Sequence, residues 1–169
     1  MDVFEAIRRR RSIRKYHRKN LDWNTIIRLL EAARLAPSAK NLQPWKFIVV
    51  SDQELKDKLV KACYNQKFIA DASIVIVGIG DAELSPRRYQ TDVTIALEHI
   101  VLEATELGLG TCWIGAFKED EVKELLKIPN KYRVVALLTV GYPAESPPPR
   151  PRKKLKEIVY HNVYGVELR

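Results

Sequence analysis

Apolar residues recur along this chain with two distinct periods, and their alternation predicts helices interleaved with strands. Asp2, with Glu5 three residues later, marks a helix start, and Val3, Phe4 and Ile7 then supply one apolar face. A second helix is predicted from Asp22 or Asn24, with Ile26, Ile27, Leu30 and Ala33 at helical spacing, ending before Pro37. Residues 37–44 carry two prolines and no periodicity, so they read as a loop. Trp45–Val50 reads as a strand, and Ser51-Asp-Gln-Glu54 as a capping box opening a helix through Leu55, Leu59 and Val60. Ser73–Ile79 is a second strand. A long helix follows from about Thr91 to Leu107, largely apolar through Ile95, Leu97, Ile100, Val101 and Ala104, with Gly108 placed as its C-terminal cap. That much apolar surface predicts burial on several sides, part of it against another subunit. Thr111–Gly115 is a short strand or loop, Glu119–Lys127 a short helix stopped by Pro129, and Arg133–Val140 the last strong strand.

After Tyr142 the pattern changes. Five of the nine prolines fall between Pro143 and Pro151, so this segment is extended and unsuited to a central strand. The tail from Arg152 regains apolar residues (Leu155, Ile158, Val159, Val163 and Val166) and calls for a surface to pack on. The element order indicates α/β or α+β, with one sheet covered by helices, in a single domain spanning residues 1–169.

Composition narrows the class. Hydrophobic residues make up 46% and charged residues 30%, as in an ordinary globular chain. The longest apolar runs, Ile74–Ile79 and Val134–Leu138, are strand-sized, so no membrane span is expected. With an acid early in Met-Asp-Val-Phe-Glu and no apolar signal region, a cytoplasmic location is expected. Cys63 and Cys112 form no disulfide framework, and His17, His99 and His161 are scattered, so no metal site is expected.

Charge is more telling. The net +8 is concentrated in two clusters: eight cations without an acid between Arg8 and Lys19, and Arg150, Arg152, Lys153, Lys154 and Lys156 near the other end. Such clusters suit an anionic partner, whether nucleic acid, membrane surface or phosphorylated small molecule; a solvated charged surface is the plain alternative.

Familiar nucleotide and hydrolase motifs are missing. Gly78-Ile-Gly80 follows a strand, but Glu83 stands at the third glycine position and no helix follows directly; there is neither a GxxxxGK[ST] nor a GxSxG pattern. In Arg10-Arg-Ser-Ile-Arg14, an extended backbone would bring Arg10, Ser12 and Arg14 together, the guanidiniums as forked donors for phosphate oxygens and the serine hydroxyl as one more, although Arg/Ser runs also occur in nucleic-acid-binding arms. The loop Ala36-Pro-Ser-Ala-Lys-Asn-Leu-Gln-Pro-Trp45 presents Ser38, Asn41 and Gln43 between two prolines, which suits either a planar heterocycle or a plain polar surface loop.

Five segments in order resemble the nitroreductase family of flavoproteins over nearly the whole chain. They are residues 10–16, 36–45, 72–77 and 106–115, and the tail around Arg150–Tyr160. The resemblance implies an α+β, nitroreductase-like fold with a central, mostly antiparallel sheet flanked by helices and a C-terminal tail packing on the partner subunit. It implies FMN as cofactor, NADH or NADPH as electron donor, and a homodimer with the flavin at the subunit interface. Arg10, Arg11, Ser12 and Arg14 would hold the flavin's phosphate, ribityl chain and pyrimidine edge. Pro37, Ser38, Ala39 and Asn41 would reach the same flavin from the partner. Asn65, or neighbouring Gln66, would meet the pyrimidine edge; Trp113, Ile114 and Gly115 would lie along the ring; Arg150 and Arg152, with Lys153 as a substitute, would return to the phosphate. No side chain is assigned as catalytic, because the flavin carries the redox chemistry. Cys112 is expected to be a packed residue, not a redox thiol. The acceptor would be a small electrophile such as a nitroaromatic, quinone or flavin. The alternatives are a dehalogenating or flavin-processing enzyme of the same fold and, from another class, a basic nucleic-acid-binding module; the latter lacks both a recognised motif and spaced stacking aromatics.

Overall fold

Each of the first three main helices begins on an aspartate. The Asp2 carboxylate accepts the Glu5 N–H at 2.8 Å, Asp22 accepts that of Thr25 at 2.9 Å, and Asp52 accepts that of Leu55 at 2.9 Å. The third cap corrects the expected box by one residue. Ser51 and Asp52 are both good caps, but the carboxylate adds a favourable charge at the positive helix end.

The computed structural model describes residues 1–167. The elements run α1 (Val3–Arg9), β1 (Tyr16–His17), α2 (Trp23–Arg34), β2 (Trp45–Val50), α3 (Gln53–Ala62), α4 (Phe68–Asp71), β3 (Ile74–Asp81), α5 (Tyr89–Glu106), β4 (Gly110–Ile114), α6 (Glu119–Leu126) and β5 (Tyr132–Pro143). Single 3-10 turns sit at Ala39–Asn41 and Leu155–Glu157. All pairings between the named strands are antiparallel, in the order β1-β5-β3-β2, with β4 also on β5. The α+β sheet flanked by helices is therefore as expected. β1 and α4, only two and four residues long, were not anticipated.

The sheet separates two cores. Ile74, Ile76, Ala136, Leu138 and Val140 face α2 and α5, whereas Val75, Val77, Ile79, Val134 and Leu137 face α3 and α6. Strand alternation explains the division along β3. On β5, Val134 and Ala136 fall on opposite faces because the register slips between Gly78 and Ile79 of β3, consistent with a β-bulge. Complete burial of side chains such as Leu29, Leu59, Leu97 and Leu137 contributes roughly 1.5–3 kcal/mol each relative to exposure.

The long helix α5 is less fully buried than its composition suggests. Val93, Ala96, Leu97, Ile100, Val101 and Ala104 pack inward, while Thr94 is exposed and Ile95 and Leu102 are half-buried. No described helix is long and apolar enough to cross a membrane. The tail remains open: Leu155, Ile158, Val163 and Tyr164 are exposed, and the Tyr160 and Tyr164 rings lie 4.5 Å apart. The last two residues of the expected tail, 168 and 169, lie outside the described residues.

Candidate functional site

Helix α1 ends where the arginine run begins. The Arg10 N–H closes the helix on the Ala6 carbonyl at 2.9 Å, and the backbone then extends. Ser12 forms an isolated parallel bridge with Thr111 of β4, and the Ile13 N–H donates to the Thr111 carbonyl at 2.8 Å. Gly110 permits this approach, since a Cβ there would lie 2.7 Å from Ile13 Cγ1. Tyr16 pins the segment from below. Its hydroxyl lies 2.8 Å from both the Ile13 carbonyl and Thr139 Oγ1, and burial pushes its pKa upward.

The other chain end is led to the same place. β5 pairs with β1 through Tyr16 and Pro143, and the Ala144 N–H donates to the Lys15 carbonyl at 2.9 Å. The polyproline stretch that follows accepts a hydrogen bond from Arg11 Nε at the Pro147 carbonyl, 3.3 Å away. Between the two segments lies a cavity of about 680 Å³, lined by Arg8, Arg10, Arg11, Ser12, Arg14, Arg150 and Arg152, with Phe4, Ile7, Glu145 and Pro147–Pro149 completing the wall.

The cations of the first cluster differ in their commitments. Arg8 and Arg9 pair with Glu5, Arg18 pairs with Asp71, and Lys19 lies over the Tyr142 ring. Arg11 Nη1 donates to the carbonyls of Arg8, Arg9 and Arg10 at 2.8–3.1 Å, capping the end of α1. Among the described residues, Arg10 and Arg14 make no ion pair, yet both line the cavity. Among the described residues, the only carboxylate in that wall is Glu145, whose Oε1 accepts the Arg14 backbone N–H at 2.6 Å. Unpaired guanidiniums, a serine and a concave wall make a donor set for a phosphorylated ligand.

The remaining expected residues lie elsewhere. Pro37, Ser38, Ala39 and Asn41 do not line the cavity of their own chain. Their loop is tightly folded: Ser38 Oγ accepts the Gln43 N–H at 2.9 Å, and Lys40, Asn41 and Gln43 all have positive φ. Asn65 follows α3, with its side chain exposed, its φ at 60° and its N–H on the Val60 carbonyl. Gln66 is turned inward, donating its amide to the carbonyls of Cys63 and Ala116 at 3.0 and 3.2 Å. That contact brings the 65–66 turn to the segment after β4. At the end of β4 the Trp113 indole donates to Glu98 at 3.2 Å and the Ile114 side chain is buried in the core, while Gly115, just beyond the strand, faces open space. Ile114 therefore has only its backbone to offer. β4 links this region to the arginine segment, its five residues spanning roughly 13 Å at about 3.3 Å per step.

The sequence profile described as the Nitroreductase family matches residues 7–83 and 61–142. The chain belongs to the nitroreductase family. Among solved structures, it is 38% identical to a nitroreductase family protein from Clostridium novyi NT, with a TM-score of 0.81 and coverage of 99% of this chain and 97% of that one. An FMN-dependent nitroreductase from Clostridium difficile R20291 is 33% identical, with a TM-score of 0.87 and coverage of 95% and 99%. An NADH dehydrogenase of Thermus thermophilus is 29% identical over 195 aligned positions, covering 94% of this chain and 95% of its own.

Within this nitroreductase-family fold, sequence reasoning missed Glu145, which lies just beyond β5 with no motif around it. Cys112 is buried, and burial raises its thiol pKa even though Arg14 and Arg10 oppose the shift. A packed, protonated thiol is the result.

Proposed function

We propose that this nitroreductase-family chain, folded as one domain over residues 1–169, is an FMN-dependent oxidoreductase. It passes a hydride from NADH or NADPH to a small electrophilic acceptor, such as a nitroaromatic, quinone or flavin, in alternating half-reactions. One observation carries the reading: unpaired Arg10 and Arg14 from one chain end meet Arg150 and Arg152 from the other across a single cavity. Convergence into a concave site favours a small phosphorylated ligand over a nucleic acid, whose backbone is usually met by an exposed basic surface.

Arg10, Arg14, Arg150 and Arg152 would neutralise the phosphate, with Ser12 as a further donor; Arg11 would serve them by holding the α1 end and the polyproline together. Asn65 is free to meet the pyrimidine edge, whereas Gln66 is engaged internally. Trp113 and the backbone at Ile114 and Gly115 would flank the ring, and the open space at Gly115 leaves room for it. When bound, FMN supplies the hydride-accepting centre, and no side chain need act as acid, base or nucleophile.

Pro37, Ser38, Ala39 and Asn41 would complete the site across a homodimer. Exposed Val3, Trp23 and Leu35, together with the apolar tail, provide surface for a second copy to cover.

Subunit-mixing measurements test the shared site. Arg14→Ala, and Asn41→Gly (which keeps the left-handed backbone), should each weaken FMN binding about tenfold to a hundredfold, the scale of a lost charge-assisted hydrogen bond. Mixed dimers with one copy of each should regain one site of wild-type affinity. No regain after verified subunit exchange contradicts a shared site.

A further inference from the structure

Asp92 is a carboxylate that its own chain leaves half-satisfied. It lies in the first turn of α5 and is 3% exposed. Its Oδ1 accepts the Ala39 N–H at 3.2 Å, while Oδ2 is buried with no hydrogen-bond partner among the described residues. None of the ion pairs among the described residues includes it. The α5 N-terminus offsets part of the cost of burying this charge, but a single hydrogen bond leaves the group a poor contributor to stability.

The position of that bond suggests what the carboxylate is for. Ala39 opens the turn in which Lys40 and Asn41 adopt left-handed backbone, a conformation that costs free energy for residues other than glycine. Lys40, Asn41, Leu42 and Gln43 are exposed, so the tip of the loop has little packing of its own. The bond from Ala39 to Asp92 ties this loop to a helix that packs on the sheet.

We propose that Asp92 is a positioning residue for flavin binding in the other subunit. It holds the 37–41 loop in the shape that the partner's site requires, a role that rests on the shared-site reading above. Its local cost in stability is retained because the loop must be preformed to bind tightly.

Asp92→Leu tests this, because it keeps the branching at Cγ but removes both the charge and the acceptor. The thermal midpoint should stay at or above that of the wild type, while FMN affinity falls about tenfold, as for a lost hydrogen bond to a charged group. Asp92→Asn, which keeps an acceptor for Ala39, should restore affinity to within about twofold. Mixed dimers of Asp92→Leu with Arg14→Ala should regain one wild-type site, because the intact loop and the intact arginine then meet in one half of the dimer.

Wild-type affinity in Asp92→Leu overturns the proposal, as does a loss that mixed dimers with Arg14→Ala do not rescue. If Asp92→Leu does not fold, Asp92→Ala takes its place with the same expectations for FMN affinity and mixed-dimer rescue. Failure of both to fold also overturns the proposal, since the carboxylate would then serve stability. A wild-type protein that takes up no FMN overturns the functional reading itself, which is a distinguishable result.

Discussion

Arginines of one cluster have separate tasks here, set by what lies beside each. Arg11 spends its guanidinium on three carbonyls at the α1 terminus and a fourth at Pro147, whereas Arg10 and Arg14 are left to the cavity. Glu145 tempers that cavity. Its carboxylate holds the Arg14 backbone but also places a negative charge where a phosphate would bind. Glu145→Gln keeps an acceptor for the Arg14 N–H and removes the repulsion. It should therefore tighten FMN binding several-fold at low salt, roughly 1 kcal/mol for a charge pair in a water-like medium, with the gain shrinking as salt rises. A titration at two ionic strengths checks this, and weaker binding in the variant would show that Glu145 contributes more by positioning than it costs by charge. The cluster itself was visible in the sequence. Which cations remain unpaired was not, because Glu5, Asp71 and the helix-end carbonyls compete for them only in the folded chain.

Elements were legible in proportion to their length. α2, α5 and the long strands repeat their periods often enough to be read, while two residues of β1 and four of α4 carry no period. Yet β1 is what brings the polyproline back alongside the arginine segment, so a short pairing decides where the candidate site forms. A second small device joins α6 to β5. Glu119, the first residue of α6, accepts Arg133 Nε and Nη2 at 2.8 and 2.7 Å and the Val134 N–H at 3.0 Å. The Arg133 hydrogen bond is the main cause holding the Glu119 pKa below its ordinary value, against an opposing desolvation effect. A depressed carboxylate pKa stabilises the fold above the unfolded-state value and loses that contribution as pH falls through the folded-state value. Glu119→Gln should accordingly be less stable than wild type at neutral pH, and the difference should close as the medium is acidified below about pH 4. Denaturant unfolding at several pH values measures it; a constant difference would mean that the carboxylate's charge plays no part.

At the scale of the molecule, one sheet with helices on both faces brings two distant basic segments to a common cavity and leaves an apolar surface open. The convergence was implied by charge placement and by family resemblance, but its wall of prolines and its single carboxylate required the fold. The loop at residues 37–41 is not part of its own chain's cavity wall, and the proposed shared site would take it from a second subunit. Arg14, Asn41 and Asp92 are thereby linked: subunit mixing reads whether they serve one pocket from two chains. All of this depends on the pocket holding a redox-active flavin. The most direct test is the visible spectrum of the FMN-loaded protein, freed of unbound flavin, on addition of NADH or NADPH without oxygen. Bleaching of the flavin band, followed by its return when a quinone or nitroaromatic is added, is the predicted result. Protein that retains no FMN, or whose bound FMN is not bleached by either nucleotide, contradicts the account.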